Sequence, residues 1–188
     1  MTPRVEELTG GKPETAVVEN ARRKAVVGMQ MAAREGDAVL GVDTEVVLDG
    51  RLLGKAADET EARDRLEALS GRTHEVLSGV VLLAAHAPSS AGELAKASPS
   101  SQSGEGITER SGVERSRVTF RRLVPGLLDA YLASGEWRDR AGAYAVQGLG
   151  SALVAHVEGD LSNVIGLPVN LLFDIAPDLL DAAGDSCS

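Results

Sequence analysis

Cysteine is almost missing from this 188-residue chain, and the single copy, Cys187, excludes a disulfide framework, a cysteine-ligated structural zinc and a thiol redox pair. Aromatic residues are scarce as well. Two Tyr, two Phe and one Trp cannot furnish a platform on which bases stack. Positive charge is in deficit, with 19 Lys and Arg against 28 Asp and Glu, and the resulting net charge of −9 repels a phosphate backbone. Nucleic-acid binding is therefore not expected, and any phosphate chemistry must be local. The opening MTPRVEELTGGKPET has no apolar core of the signal-peptide kind, and the most apolar stretch, residues 76–87, is too short and too interrupted to span a bilayer. No membrane association is expected, and a reducing cytoplasm fits. The length suits one domain, residues 1–188, with enough chain to bury a core.

What is present alternates between helical and extended patterns. From residue 13 to 35 the apolar residues Val18, Ala21, Ala25, Met29 and Ala32 recur three and four apart, which predicts a helix, with Pro13 suited to its first turn. Residues 38–42 (AVLGV) form a short apolar run of strand length. Val46-Val47-Leu48 and Arg51-Leu52-Leu53 flank Asp49-Gly50, a strong hairpin signal, while polar Asp43-Thr44-Glu45 is expected to interrupt two strand-like stretches. Asp58 with Glu61 reads as an N-cap box for a helix that buries Ala62, Leu66 and Leu69 and stops at Gly71. Strands are expected over residues 76–83, 118–120 and 152–157. Helices are expected around Leu127, Leu128, Tyr131 and Leu132, and after Pro168 with Leu172, Ile175 and Leu179. Between residues 87 and 112 lie 7 Ser, 4 Gly and 2 Pro without apolar period, so this segment reads as a flexible surface insertion joining two strands, with an inter-domain linker as the alternative. The order of elements indicates an α/β domain.

Three groups of residues could carry chemistry. Asp43-Thr44 places an acid and a short hydroxyl where an apolar strand is expected to end, the edge at which α/β folds bind ligands; a turn Asp satisfied by local N–H groups is the competing account. The stretch EWRDRAGAYAVQG, residues 136–148, combines small residues with Arg140, a cation, and Gln147, a donor and acceptor able to read a base edge; a solvated loop explains it equally. Lys24 and Lys55 could supply positive charge to a polyphosphate, or be ordinary surface lysines. His74, His86 and His156 show no metal-ligand spacing, and no Ser sits in a nucleophile-elbow sequence.

Taken together, VLGVDTEVVLDGRLLGKAADETEARDRLEALSGRTHEV (39–76) and YLASGEWRDRAGAYAVQGLGSALVAHVEGDLSNVIGLP (131–168) resemble the Maf family of nucleoside triphosphate pyrophosphatases. The likeness extends to Glu6-Glu7 and Ala21, Lys24 and Ala25. It implies a Maf/ITPase-like mixed twisted sheet flanked by helices, with a cleft at the strand ends. It also implies hydrolysis of a nucleoside triphosphate to the monophosphate and pyrophosphate, aided by a divalent cation, Mg²⁺ or Mn²⁺. By that resemblance Asp43 is the proton acceptor that activates water, Lys24 and Lys55 lie in the phosphate region, Arg140 stands for a family lysine, and Glu7 or Glu6 matches an acid near the metal. Thr44 and Gln147 match the branch acting on dTTP and UTP, with modified pyrimidine nucleotides as further substrates. A homodimer is also implied.

The chain departs from the family pattern at several positions. The apolar strand and Ser-x-Ser-Pro-Arg-Arg segment with which family members open has no counterpart, so the start reads as truncated and a sheet strand as missing. A catalytically impaired nucleotide-binding module is the alternative function on that account. Ala56 replaces a Pro, Ala145 a Gly, and Glu45 enters a strand position that is usually apolar.

Overall fold

The computed structural model describes residues 7–8, 10–32, 37–85 and 106–177. Helix α1 (Pro13–Ala32) leads into strand β1 (Ala38–Leu48), the two-residue β2 (Arg51–Leu52), α2 (Glu59–Leu69), β3 (Thr73–Ala85) and β4 (Ile107–Phe120). Then come α3 (Pro125–Ser134), a 3-10 helix (Gly148–Leu153), β5 (Val154–Glu158), α4 (Leu161–Ile165) and α5 (Val169–Ile175). The strands form one sheet in the order β2-β1-β3-β4-β5, and every neighbouring pair is antiparallel. Helices and sheet are thus combined as expected, with antiparallel pairing among all described strands.

Local chemistry explains most boundaries. Asp49 and Gly50 both take positive φ at the β1–β2 turn, the backbone that a tight hairpin demands. Asp58 caps α2 by accepting from the Glu61 N–H at 2.9 Å, and Glu61 reaches back to the Ala57 N–H at 2.7 Å. Gly135 closes α3 in the left-handed region. Ala62, Leu66 and Leu69 are fully buried and join Val46, Val76, Phe120, Tyr131 and Leu153 in the larger core on one face of the sheet.

Several expectations are corrected. Asp43-Thr44-Glu45 does not interrupt β1: it continues through them, with Asp43 opposite Gly79, Thr44 opposite Ser78 and Glu45 opposite Leu77. Continuous ladder pairing on this side outweighs the low strand preference of the acids. Asp43 therefore sits within a strand rather than at its end. The serine-rich segment is shorter than residues 87–112, because Ile107 to Gly112 are already strand, paired with β3 residues Ala85 to Val80. The last strand begins at Val154, with the 3-10 helix taking Ala152 and Leu153. His86, Leu179 and Cys187 lie outside the described residues.

The face of the sheet opposite the larger core receives α1, and two glycines decide how closely. A Cβ on Gly41 would stand 2.1 Å from the Ala21 carbonyl oxygen, and one on Gly79 would stand 2.4 Å from the Val17 backbone. Both are spaces that only a hydrogen can occupy. The helix backbone consequently lies almost on the sheet beside Asp43, whose strand neighbours these glycines are.

Candidate functional site

Side chains alternate along a strand, so β1 offers different residues to its two faces. Gly41, Asp43, Glu45 and Val47 belong to the face that receives α1; Thr44, Val46 and Leu48 belong to the face of the larger core. Beyond two residue pairs with β2, β1 has no second strand neighbour among the described residues. A cavity of about 240 Å³ lies here, and residues from both faces reach it, Asp43 and Glu45 from one and Thr44 and Val46 from the other. An open strand edge is what allows this.

On the α1 face the polar groups form one chain of contacts. Asp43 is 3% exposed; its Oδ2 accepts from Asn20 Nδ2 at 3.0 Å and its Oδ1 takes a short contact from the Lys24 ammonium. Lys24 also pairs with Glu7 Oε1 at 2.9 Å, and Lys55 stands 3.5 Å from the same oxygen. Asn20, wholly buried, is fixed in turn by Leu8, whose N–H donates to Oδ1 at 2.7 Å and whose carbonyl accepts from Nδ2 at 3.3 Å. Burial works against the charge of Lys24, but the bonds to Asp43 and Glu7 outweigh it and hold the ammonium above the usual lysine range. Burial likewise opposes the Glu7 charge, and Lys24 and Lys55 together hold its carboxyl below the usual range. At Glu45 burial first, then the charges of Asp43 and Glu7, outweigh the attraction of Lys55 and Lys24 and push its carboxyl up to about 7.

The other wall is built differently. Thr44 Oγ1 shares a hydrogen bond with Ser78 Oγ at 2.7 Å and donates to the Gly166 carbonyl at 3.4 Å. An antiparallel bridge between Lys55 and Ala141, with the Gly142 N–H donating to the Gly54 carbonyl at 2.7 Å, lays the 139–147 segment along the cavity. Gly142 has φ 65° and leaves no room for a Cβ against Val46. Tyr144 is buried, and its hydroxyl meets His74 Nε2 at 2.8 Å; burial alone pushes His74 down to about 4, so the imidazole is neutral at physiological pH. Glu136 accepts from the N–H groups of Leu149 and Gly150, both at 3.1 Å, and so ties down the 3-10 helix that follows Gln147.

The seven residues singled out in the sequence, Glu7, Lys24, Asp43, Thr44, Lys55, Arg140 and Gln147, all line this one cavity. Glu6 lies outside the described residues. Asn20 and Glu136 escaped the sequence reading. Asn20 did leave a signal, since it stands one turn before Lys24 on the helix flank, where a polar side chain must find a partner. Among the described residues no three His, Cys, Asp or Glu side chains gather as a metal site. The carboxyls that line the cavity, Glu7, Asp43 and Glu45 among them, are oxygen donors, the ligand type that hard cations take together with water and phosphate oxygens. None of the described helices is long and apolar enough to cross a membrane.

Comparison with known proteins agrees with the sequence pattern. A family model described as Maf-like protein matches residues 1–178. The chain is 40% identical over 139 residues to a protein of Pyrococcus furiosus named dTTP/UTP pyrophosphatase, covering 74% of this chain and 62% of that one. Proteins of the same name from Desulfitobacterium hafniense and Myxococcus xanthus are 43% and 44% identical over 164 and 161 residues. These matches cover 85% of this chain in each case, and 65% and 69% of the relatives. The chain therefore spans just under two thirds of the first two relatives.

Proposed function

The chain belongs to the Maf family, and from that premise we propose that its cavity hydrolyses a nucleoside triphosphate, preferring dTTP and UTP, to the monophosphate and pyrophosphate. The observation that carries the reading is the arrangement around Asp43: a carboxylate 3% exposed, fixed by Asn20 and Lys24, at the wall of a cavity that also presents Lys55 and Arg140.

Asp43 accepts a proton from water as the water oxygen attacks the α-phosphorus. The α–β anhydride bond breaks and its electrons leave with pyrophosphate. Lys24 and Lys55 face the negative charge that grows on the departing group. Lys24 covers one Asp43 oxygen and neutralises Glu7. A triphosphate competes for both lysines, and drawing Lys24 away uncovers the carboxylate oxygen that must take the proton. The substrate thereby switches on its own base. Glu7 would hold the divalent cation, which when bound offsets phosphate charge.

Gln147 is exposed at the mouth of the cavity and offers a donor and an acceptor, as N3–H and O4 of uracil or thymine require. Pyrimidine selection, including modified pyrimidines, rests on that match and on the names of the relatives. The setting we propose is nucleotide-pool sanitation in the cytoplasm by a homodimer.

Hydrolysis of dTTP in ¹⁸O-water with Mg²⁺ or Mn²⁺ tests the reading, the expected result being label in dTMP and none in pyrophosphate. Label in a released phosphate or pyrophosphate contradicts attack at the α-phosphorus. Binding of dTTP without turnover favours the impaired binding module instead.

A further inference from the structure

Glu45 is the cavity residue to which the proposed reaction gives no task. It lies two residues beyond Asp43 on the same face of β1, lines the same cavity and is 6% exposed. Its Oε2 is buried and no donor reaches it. Three other residues among those described, Arg65, His74 and Asn163, also carry a buried side-chain atom without a partner, and none of them lines the cavity.

The fold does not ask for an acid here. Val46, Val47 and Leu48 continue the strand with apolar side chains. A buried carboxyl with an unsatisfied oxygen carries a desolvation penalty that a valine would not. The two nearby ammonium groups offset only part of it. Lys24 pairs with Asp43 and Glu7, and Lys55 stands 3.5 Å from Glu7, so both ammonium groups that act on Glu45 are engaged by another carboxyl as well. A small, hard cation supplies both a partner for the oxygen and the charge that is lacking.

We propose that Glu45 is a ligand of the divalent cation, its free oxygen completing with Glu7, water and the nucleotide's phosphates a site that no protein trio forms alone. This rests on the reading that a triphosphate occupies the cavity together with such a cation. It gives a costly buried acid a compensating partner.

The test is Mn²⁺ binding to the full chain in the presence of the non-hydrolysable α,β-imido-dUTP, read from the free-Mn²⁺ electron paramagnetic resonance signal. Glu45→Val and Glu45→Gln are expected to weaken Mn²⁺ binding by roughly tenfold or more, since even outer-shell partners are worth that much. Glu158→Gln, an exposed acid on β5, leaves it unchanged. Glu45→Gln, nearly isosteric, carries the test should the valine variant not fold. Equal Mn²⁺ affinity in the wild type and both Glu45 variants overturns the assignment, as does a wild type that binds no Mn²⁺. Pyrophosphate release by the wild type is measured alongside. Release together with Glu45-independent Mn²⁺ binding removes the cation assignment and leaves the proposed function; no release together with Glu45-dependent binding removes the function and leaves the cation assignment in force.

Discussion

Asp43 and Thr44 are neighbours in sequence on opposite faces of β1, and their surroundings have little in common. Asp43 meets α1, pressed against the sheet through Gly41 and Gly79, and is held by an amide and an ammonium. Thr44 meets another hydroxyl and a backbone carbonyl, beside a wall that includes Tyr144, whose hydroxyl is bonded to the buried, neutral His74 behind it. Along β1 itself, charged contacts lie on one face and neutral hydrogen bonds on the other, while Asp139 and Arg140 bring charge to the second wall from the 139–147 segment. The two-residue period of a strand thus gives two adjacent side chains different partners in one cavity, the difference on which the proposed division between phosphates and base rests.

Breaking the charged half should cost the most. Asp43→Asn is expected to lower kcat by about 10²- to 10⁴-fold while dTTP affinity, read by calorimetry, stays within a few-fold. Thr44→Val, one residue away, should leave kcat within tenfold of the wild type. Equal losses in the two variants would erase the distinction between the faces.

The close approach of α1 is the next point of attack. Gly79→Ala forces a Cβ into the Val17 backbone, and a stability loss of about 1–3 kcal/mol is expected from overpacking. Urea denaturation checks it.

A pH titration of stability probes the neutral half. His74 is pushed down to about 4 by burial, so in the unfolded chain it takes up a proton near pH 6.5 that the folded chain refuses. Its contribution is fully present above that pH and is lost as the pH falls toward 4. In wild type Glu45, pushed up to about 7, titrates over the same range with the opposite sign and masks part of the effect. In Glu45→Val, stability should fall by about 2 kcal/mol between pH 7 and pH 5. A flat profile in that variant would mean that His74 is not held neutral. The smallest effect is expected at Gly126 in α3, where a Cβ meets nothing within 4 Å; Ala there should stabilise by about 0.4–1 kcal/mol.

The two faces were also unequally legible in the sequence. Capping residues, the Asp49-Gly50 turn and the apolar period of α1 act over a few residues, and they announced their elements. Asp43-Thr44-Glu45 did not look like strand, because what keeps it extended is pairing with Gly79, Ser78 and Leu77 more than thirty residues away. Asp43, Lys24 and Gln147 were candidates by residue type alone, and the resemblance gave each of them a role. Asn20 was missed because its place one turn before Lys24 says that it needs a partner but not which, until the strand beneath it is known to carry an acid. Glu136 was visible only as part of a polar loop, since its role depends on N–H groups thirteen and fourteen residues further on.

The measurement that bears most directly on the division of the cavity is the set of pyrophosphate-release rates from dTTP, UTP, CTP and GTP, compared among wild type, Asp43→Asn and Gln147→Glu. The account predicts that Asp43→Asn lowers all rates in the same proportion, while Gln147→Glu keeps turnover within tenfold and shifts the ratios away from dTTP and UTP. Undiminished turnover in Asp43→Asn, or unchanged ratios in Gln147→Glu, would contradict it.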